Sequence, residues 1–189
     1  MHDMRHMGMI GILALSACAT TEAPEPKETP LTGTITLGAG PCPGLCPVYT
    51  MTLYPNDTYA LNAGEYTLAP GRSRGSLPVN SFRRALEALE QYDLPGLARF
   101  YTPTEKDNCP TAISGLPTVD FSRVDDNNDV RSFVTFNTGC VDFAERDRLD
   151  RLYERLRTVF RVKEIVAVGE PPRPPRRETS APVQGLGGL

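Results

Sequence analysis

The chain has 189 residues, of which 20 are Lys or Arg and 23 are Asp or Glu, so its formal net charge is -3. This length predicts one domain, and the slightly acidic balance excludes the basic excess that nucleic-acid-binding proteins usually carry. The two histidines, His2 and His6, precede the first plausible processing site, and there is no tryptophan. We therefore expect neither histidine catalysis nor a histidine-ligated metal in the mature protein.

The N-terminal residues predict export. The apolar run from Met7 to Ala17 has the length of a signal-peptide core and is too short to span a bilayer as a helix. It ends in Leu15-Ser16-Ala17-Cys18, which resembles the lipobox of bacterial lipoproteins. The resemblance implies a signal peptide at 1–17 and acylation of Cys18. A secretory signal with a coincidental cysteine, or a buried apolar segment, is the alternative.

The segments on either side of the folded domain predict the cellular location of the protein and flexible connections at both ends of the domain. Ala19 follows the cysteine, and no aspartate of the inner-membrane retention type is present, so resemblance to Gram-negative lipoproteins implies the periplasmic face of the outer membrane. Residues 18–32 are polar and rich in proline, which predicts a flexible tether. Residues 169–189, rich in proline, arginine and glycine, predict a disordered tail. The folded domain is expected at 33–168.

The first half of the domain is predicted to be mostly strand. Alternation and β-favouring residues predict strands at 34–37, 48–54 and 58–61, with a weaker pair at 66–68 and 72–77. A helix is expected to begin near Pro78, since a first helical position does not need the missing N–H. Its apolar stripe is Phe82, Ala85, Leu86 and Leu89, and residues 93–96 end it.

The second half predicts a hairpin and another helix. Residues 118–124 and 130–136 flank a turn rich in Asp and Asn. Asp142 and Glu145 resemble a capping box that opens a helix. The apolar stripe of that helix is Leu149, Leu152, Tyr153, Leu156, Val159 and Phe160. Residues 165–168 could add a short last strand. The order predicts an α+β fold, a mainly antiparallel sheet covered by two helices.

The loop before the second strand is the most distinctive motif. From Gly38 to Tyr49 the residues follow the pattern G-x-G-x-C-x-G-x-C-P-x-Y. This pattern resembles the opening of a bacterial domain-of-unknown-function family, catalogued as number 6438 and found in exported proteins and lipoproteins. A weaker likeness continues through Gly75 to Cys140. The first hairpin turn departs from the family pattern, because it reads Asn56-Asp57-Thr58 where members of the family usually have Asp-Gly. The family has no established activity, so the resemblance implies element order and envelope location only.

The cysteines predict a disulfide-stapled domain. Apart from Cys18, four remain: Cys42, Cys46, Cys109 and Cys140. An even number in an exported domain indicates two disulfides, with three possible pairings. We favour Cys42–Cys46 and Cys109–Cys140, because the second bond would clamp the base of the 118–136 hairpin. The Cys109–Cys140 bond closes the larger loop, so it should stabilise the fold more, by about 3–4 kcal/mol in the chain-entropy model.

Reactive chemistry at these cysteines is the minor alternative. A redox pair at Cys42 and Cys46 has C-x-x-x-C spacing, and Cys46 leads into a strand rather than a helix N-terminus that would lower its pKa. A four-thiolate zinc site is less favoured still in an oxidising compartment. Asp125, Asn127 and Asp129 imitate an EF-hand opening, but Val130 stands where glycine is required, which favours a polar turn.

No residue pattern predicts a catalytic site, a metal site or a cofactor. Tyr49, Tyr54 and Tyr59 could line a ligand groove, although strand packing is their commoner use. We therefore expect a non-catalytic binding or structural module, anchored to the membrane by Cys18, whose partner is an envelope protein or polymer and not a nucleic acid. The alternative is a thiol-disulfide redox protein that uses Cys42 and Cys46.

Overall fold

The computed structural model describes residues 31–166, which form two sheets, three α-helices and a short 3-10 helix at Leu94–Gly96. The predicted signal peptide, Cys18, nearly all of the predicted tether and the predicted tail at 169–189 lie outside the described residues. The strands are β1 Thr34–Ala39, β2 Tyr49–Leu53, β3 Thr58–Ala63, β4 Gly71–Ser76, β5 Phe100–Tyr101, β6 Thr111–Ala112, β7 Thr118–Val124, β8 Val130–Asn137 and β9 Cys140–Val141. The helices are α1 Ser81–Gln91, α2 Arg146–Val159 and α3 Val162–Ile165.

The main sheet has seven strands in the order β4-β3-β2-β1-β7-β8-β5. Its pairs are antiparallel except for the short parallel pair of β5 with β8. Strands β6 and β9 form a separate two-stranded ribbon. The structure confirms the predicted class, a mainly antiparallel sheet with helices and two disulfides.

The pleat of the central strands puts the core on one face of the sheet. Leu37 of β1 lies opposite Met51 of β2 and Phe121 of β7, and all three are fully buried. Their neighbours along each strand point the other way, as the two-residue period of a strand requires. Helices α1 and α2 pack on the apolar face with a buried stripe each. The buried helical residues are Ser81, Phe82, Ala85, Ala88, Leu89, Leu149, Leu152, Leu156 and Val159.

The opposite face of the sheet is polar. Thr36 and Thr52 bring their hydroxyl oxygens within 3.2 Å across β1 and β2, and the Thr135 hydroxyl donates to Asp120 at 2.7 Å across β7 and β8. Within residues 31–166, no helix has both the length and the apolar character that a membrane span needs.

An aspartate in the β2–β3 turn caps the first helix. One carboxylate oxygen of Asp57 accepts the Asn80 N–H at 2.8 Å, and the other accepts the Phe82 N–H at 2.8 Å. These are donors that the first turn of a helix leaves without an intrahelical acceptor. The Asp57 carbonyl also accepts the Leu77 N–H at 2.8 Å. This one residue therefore joins the first hairpin to the start of α1.

An arginine of α2 caps the other end of the same helix. The Arg148 side chain donates to the Tyr92 carbonyl at 2.5 Å and to the Asp93 carboxylate at 3.0 Å. Both groups lie just after α1, where carbonyl oxygens lack intrahelical donors and a cation is favourable. The two helices are thus held together by charge as well as by apolar contact.

The structure pairs Cys109 with Cys140 and Cys42 with Cys46, which is the pairing that the sequence favoured. Cys109 and Cys140 are fully buried, and their bond joins β9 to the residues just before β6, its partner in the ribbon. Strands β1, β2, β3, β4, β7 and β8 confirm predicted strands. The hairpin at residues 118–137 forms as expected.

Three local predictions are wrong. Helix α1 begins at Ser81 and not near Pro78, which lies in a preceding turn and accepts the Ser81 N–H. Residues 66–68 form no strand beyond a single bridge at Thr67, since Tyr66 takes a positive φ of 59°. The predicted strand at 165–168 is wrong where it is described, because α3 runs through Ile165; residues 167–168 lie outside the described part.

The predicted capping box of the second helix is also wrong. Asp142 takes a positive φ of 64°, and a turn separates it from α2, which starts at Arg146. Glu145 occupies the N-cap position without a capping hydrogen bond from its side chain. The motif needs its two residues three apart across the helix start, and here both precede the first helical residue.

We expect Asp57→Gly to lower the free energy of unfolding by about 1–2 kcal/mol, because two helix-start N–H groups lose their charged acceptor. Glycine accepts the positive φ of 61° at this position, so the change isolates the cap. Asp57→Asn keeps one acceptor oxygen and should cost less. Urea unfolding provides the measurement, with the exposed Asp107→Ala as control. Equal stability of Asp57→Gly and wild type would contradict the capping role.

Candidate functional site

The cysteine loop, residues 40–48, connects β1 to β2 and is held at both ends. The Gly40 N–H donates to the Thr118 carbonyl at 2.7 Å, and the Val48 N–H donates to the Glu65 carbonyl at 2.9 Å. Between these points the Cys42–Cys46 disulfide closes a five-residue turn with a Cα–Cα distance of 5.7 Å. The loop therefore has a fixed base and a covalently closed tip.

Tyr49 is the first residue of β2 and follows this loop directly. The strand period points its ring to the core face, so the side chain is 3% exposed. Its hydroxyl is buried and makes no well-formed hydrogen bond among residues 31–166, although the Tyr153 hydroxyl lies close enough to interact with it. A buried hydroxyl without a partner costs about 1–3 kcal/mol. Phenylalanine would fill the same space without that cost.

The Tyr49 side chain borders a cleft of about 350 Å³, which we call the tyrosine cleft. One wall is the end of the cysteine loop, at Cys46 and Pro47, and the other is the part of α2 from Asp150 to Arg157. The lining residues are Ala39, Cys46, Pro47, Tyr49, Pro117, Thr138, Asp150, Tyr153, Glu154, Arg157 and Val162. Most of the apolar lining belongs to the cysteine loop, to the strands beside it or to the residue before β7. These residues are Ala39, Cys46, Pro47, Tyr49 and Pro117.

Arg157 is the cation of the tyrosine cleft. Its guanidinium lies 5.2 Å from the centre of the Tyr153 ring and donates to Glu154 at 2.7 Å. Its Nε is buried and has no partner within the described residues. The spacing of Tyr153 and Arg157, four residues apart on α2, puts both on the same helix face.

Burial sets the ionisation of these groups. It raises the pKa of the Tyr49 hydroxyl far above its ordinary value, and the neighbouring Tyr153 raises it further. Burial likewise raises the pKa of Tyr153, whereas Arg157 acts in the opposite direction. Burial alone would lower the pKa of Arg157, but the hydrogen bond to Glu154 and the tyrosines raise it. Both hydroxyls therefore stay protonated near neutral pH, and the arginine stays charged.

The candidate tyrosines from the sequence separate in space. Tyr54 and Tyr59 line a larger depression of about 800 Å³ near the β2–β3 turn, at the other end of the sheet from Tyr49. There the Tyr59 ring covers Gly75, where a Cβ would lie 2.6 Å from the tyrosine oxygen. This depression contains none of the buried unpartnered side-chain atoms found in the described residues, so it offers a weaker reason to bind a ligand.

The EF-hand-like turn binds its own backbone. The Asp125 carboxylate accepts the N–H groups of Asn127 and Asp129 at 2.9 Å each and pairs with Arg131. These contacts, chiefly the hydrogen bond from the Asp129 N–H, lower the pKa of Asp125 despite the opposing effect of desolvation. Among residues 31–166, no group of three or more His, Cys, Asp or Glu side chains is arranged to hold a metal ion.

Arg157 is the site residue that sequence reasoning missed. Tyr49 was a candidate from its strand and Tyr153 was predicted as part of an apolar stripe, but nothing singled out this arginine among many. Its spacing from Tyr153 is visible in the sequence. What the spacing cannot show is that this turn of α2 packs against the first residue of β2, about a hundred positions earlier.

Residues 33–160 match the family described as "Domain of unknown function (DUF6438)". The chain belongs to this family. The match covers more than half of the chain and confirms the resemblance inferred from the cysteine loop. Comparison with curated proteins gave no match. A family without an assigned activity names no chemistry, so the function has to be argued from the site itself.

We expect Tyr49→Phe to raise the free energy of unfolding by about 1 kcal/mol, since it removes a buried hydroxyl that lacks a partner. Tyr101→Phe is the matched comparison. Tyr101 is 1% exposed, and its hydroxyl accepts the Ala98 N–H at 3.0 Å. Its loss should lower the free energy of unfolding by about 1 kcal/mol. Urea unfolding should give opposite signs; a loss for both variants would mean that the Tyr49 hydroxyl is satisfied.

Proposed function

We propose that the protein is an envelope lipoprotein, anchored by acylated Cys18, whose DUF6438 domain acts as a non-catalytic binding module. The lipobox-like residues 15–18 support the anchor. The tyrosine cleft beside the disulfide-closed loop supports the binding role, and it is the observation that carries the proposal. A binding site needs a preformed concave surface with a few well-placed polar groups. The partner is an envelope protein or polymer, and the location is the periplasmic face of the outer membrane.

The exposed loop tip supports a protein partner. Leu45 is 54% exposed at the tip of the cysteine loop, between the two bonded cysteines. A large apolar side chain on a rigid support suits an interface anchor, since little conformational freedom is lost when it docks. The tip and the tyrosine cleft are parts of one continuous structure, because Cys46 belongs to both.

Photo-crosslinking in intact cells tests the binding role. We expect p-benzoylphenylalanine at position 45 of the full chain to capture one discrete partner, and Leu45→Glu should abolish that partner's co-purification. The control position is Val79, which is 80% exposed at the opposite end of the sheet. The same adducts from both positions, or none from position 45, would contradict a partner surface at the loop. Intact mass of the native protein tests the anchor, with an acylated N-terminus at Cys18 expected.

A thiol-disulfide redox protein remains the second candidate, and three observations favour it. The Gly44 N–H donates to the Cys42 sulfur at 3.3 Å, and Cys46 borders the cleft that holds Arg157. Hydrogen-bond donors and nearby cations stabilise a thiolate and lower its pKa. Both cysteines are also more accessible than the buried Cys109–Cys140 pair.

Equilibration in glutathione buffers followed by alkylation separates the two functions. Structural disulfides have reduction potentials below about -300 mV, whereas redox-active pairs lie higher. For the binding module we expect Cys42–Cys46 to stay oxidised at about -200 mV. The Cys109–Cys140 bond in the same sample serves as the internal reference. Half-reduction of Cys42–Cys46 at that potential, with the reference intact, would instead favour the redox protein.

A further inference from the structure

The main sheet has one short edge and one long edge. Strand β5 forms one edge with only two residues, whereas β4 forms the other with the six residues Gly71–Ser76. Residues 71–74 are exposed, and among residues 31–166 no strand pairs with the outer side of β4. An exposed edge presents a row of backbone N–H and C=O groups that can pair with another chain. The edge of β4 can therefore accept a further strand.

Charge is the defence that this edge has against unwanted pairing. Strand β4 pairs with β3 in a regular register without a bulge, and it contains no proline, so two other common defences are missing. A second copy that paired antiparallel with β4, with the polar faces aligned, would put Arg72 opposite Arg74. Like charges directly opposite each other destabilise a sheet. The arginines therefore disfavour self-association at this edge, but they favour a strand of opposite charge.

Arg72 and Arg74 both lie on the polar face of the sheet. Arg74 is in register with Ala60, which is in register with Thr52, a residue of that face. Arg72 lies two positions away along the strand and so points the same way. Both arginines line a depression of about 560 Å³, and no carboxylate is among its lining residues. These are Thr50, Thr52, Ala60, Leu61, Asn62, Arg72, Ser73 and Arg74.

Neither of these arginines has an ion pair within the described residues. Other arginines there do pair with carboxylates, namely Arg123, Arg131, Arg146, Arg148 and Arg157. Directly across from Arg72 and Arg74 on β3 stand Asn62 and Ala60, so the neighbouring strand supplies no negative charge. Opposite charges stabilise a sheet when they face each other across strands. The open edge is the side from which such a partner can still come.

We propose that the edge of β4 binds an extended acidic segment of a partner protein, which adds to the sheet as a further strand. In this mode of recognition the backbone hydrogen bonds supply affinity, and alternate side chains supply specificity. Acidic side chains at every second position of the segment lie on the polar face, beside Arg72 and Arg74. The inference goes beyond the proposed function, since no residue of β4 lines the tyrosine cleft or belongs to the cysteine loop.

Fluorescence anisotropy of short labelled peptides with the full chain tests the role of charge. The acidic peptide alternates valine with glutamate and has blocked ends, and its control has glutamine in place of every glutamate. We expect the acidic peptide to bind saturably. The glutamine peptide should bind about tenfold more weakly, because it keeps the backbone groups and loses the charge.

Charge reversal makes the test specific to the edge. Arg72→Glu/Arg74→Glu should bind the acidic peptide about tenfold more weakly and should gain binding of a peptide that alternates valine with lysine. Both positions are exposed, so the variant should fold, which urea unfolding checks. The matched control is Arg151→Glu/Arg155→Glu, which reverses two exposed arginines of α2 and changes the net charge equally. It should bind the acidic peptide as the wild type does.

Strand addition needs its own measurement, because two arginines can attract an acidic peptide without backbone pairing. Amide hydrogen exchange in β4 should slow when the acidic peptide is saturating. Two N-methylated peptides, one modified at its valines and the other at its glutamates, block opposite edges of the added strand, since successive N–H groups point to opposite sides. One of the two should lose binding and the other should keep it.

Equal binding of the acidic and glutamine peptides, no effect of the double variant, no gain of lysine-peptide binding, or the same effect of both N-methylations would overturn the inference. Wild-type dimers that the double variant no longer forms would assign the edge to a second copy and would also overturn it. If position 45 captures its partner while the acidic peptide fails to bind, the binding module stands and the edge assignment is wrong. If the acidic peptide binds as expected and position 45 captures nothing, the edge assignment stands and the partner surface at the loop is wrong.

Discussion

The structure depends on the long-range pairing of β1 with β7. Leu37 and Phe121 are 84 positions apart in the chain, yet their antiparallel register puts both on the face that the helices cover. A slip of one residue would turn every apolar side chain of the strand to the polar face. Bringing distant segments together has an entropic cost that only the completed core offsets. The buried Cys109–Cys140 bond lowers a different cost, that of forming the β7–β8 hairpin that it encloses, and so steadies the strand on which β1 pairs.

Predictions from the sequence succeeded where the determining contacts are local. Alternation along residues 34–37 and 118–124 was sufficient to assign strands, because one face of each is buried and the other is polar. The starts of the helices were not predicted correctly, because the contacts that fix them are not visible in the nearby sequence. The cap of α1 comes from Asp57, 25 residues before Phe82, and no pattern around Pro78 reveals it. Asp142 resembled a cap in sequence, but its positive φ makes it a turn residue.

In the candidate site, too, features set by local sequence were predictable, and features set by contacts between distant residues were not. The cysteine loop was visible in the sequence because its spacing is specific, whereas the cleft exists only because α2 lies beside the start of β2. Tyr49 illustrates the consequence. Its position in the strand requires a large apolar ring, which phenylalanine would supply equally well, and the hydroxyl makes no well-formed hydrogen bond within the described fold. A buried polar group that the fold does not need is a reason to look for a role in binding.

The disulfide-closed loop and the cleft act together in this proposal. The Cys42–Cys46 bond spans few residues, so by chain entropy it stabilises the fold by only about 2 kcal/mol, less than the buried bond does. Its larger effect is local, since it fixes Cys46 and Pro47 at the rim of the cleft before any ligand arrives. A rim already in its bound shape loses little freedom on binding, which raises affinity without a new contact. The loop disulfide is therefore better understood as preorganising a site than as holding the domain together.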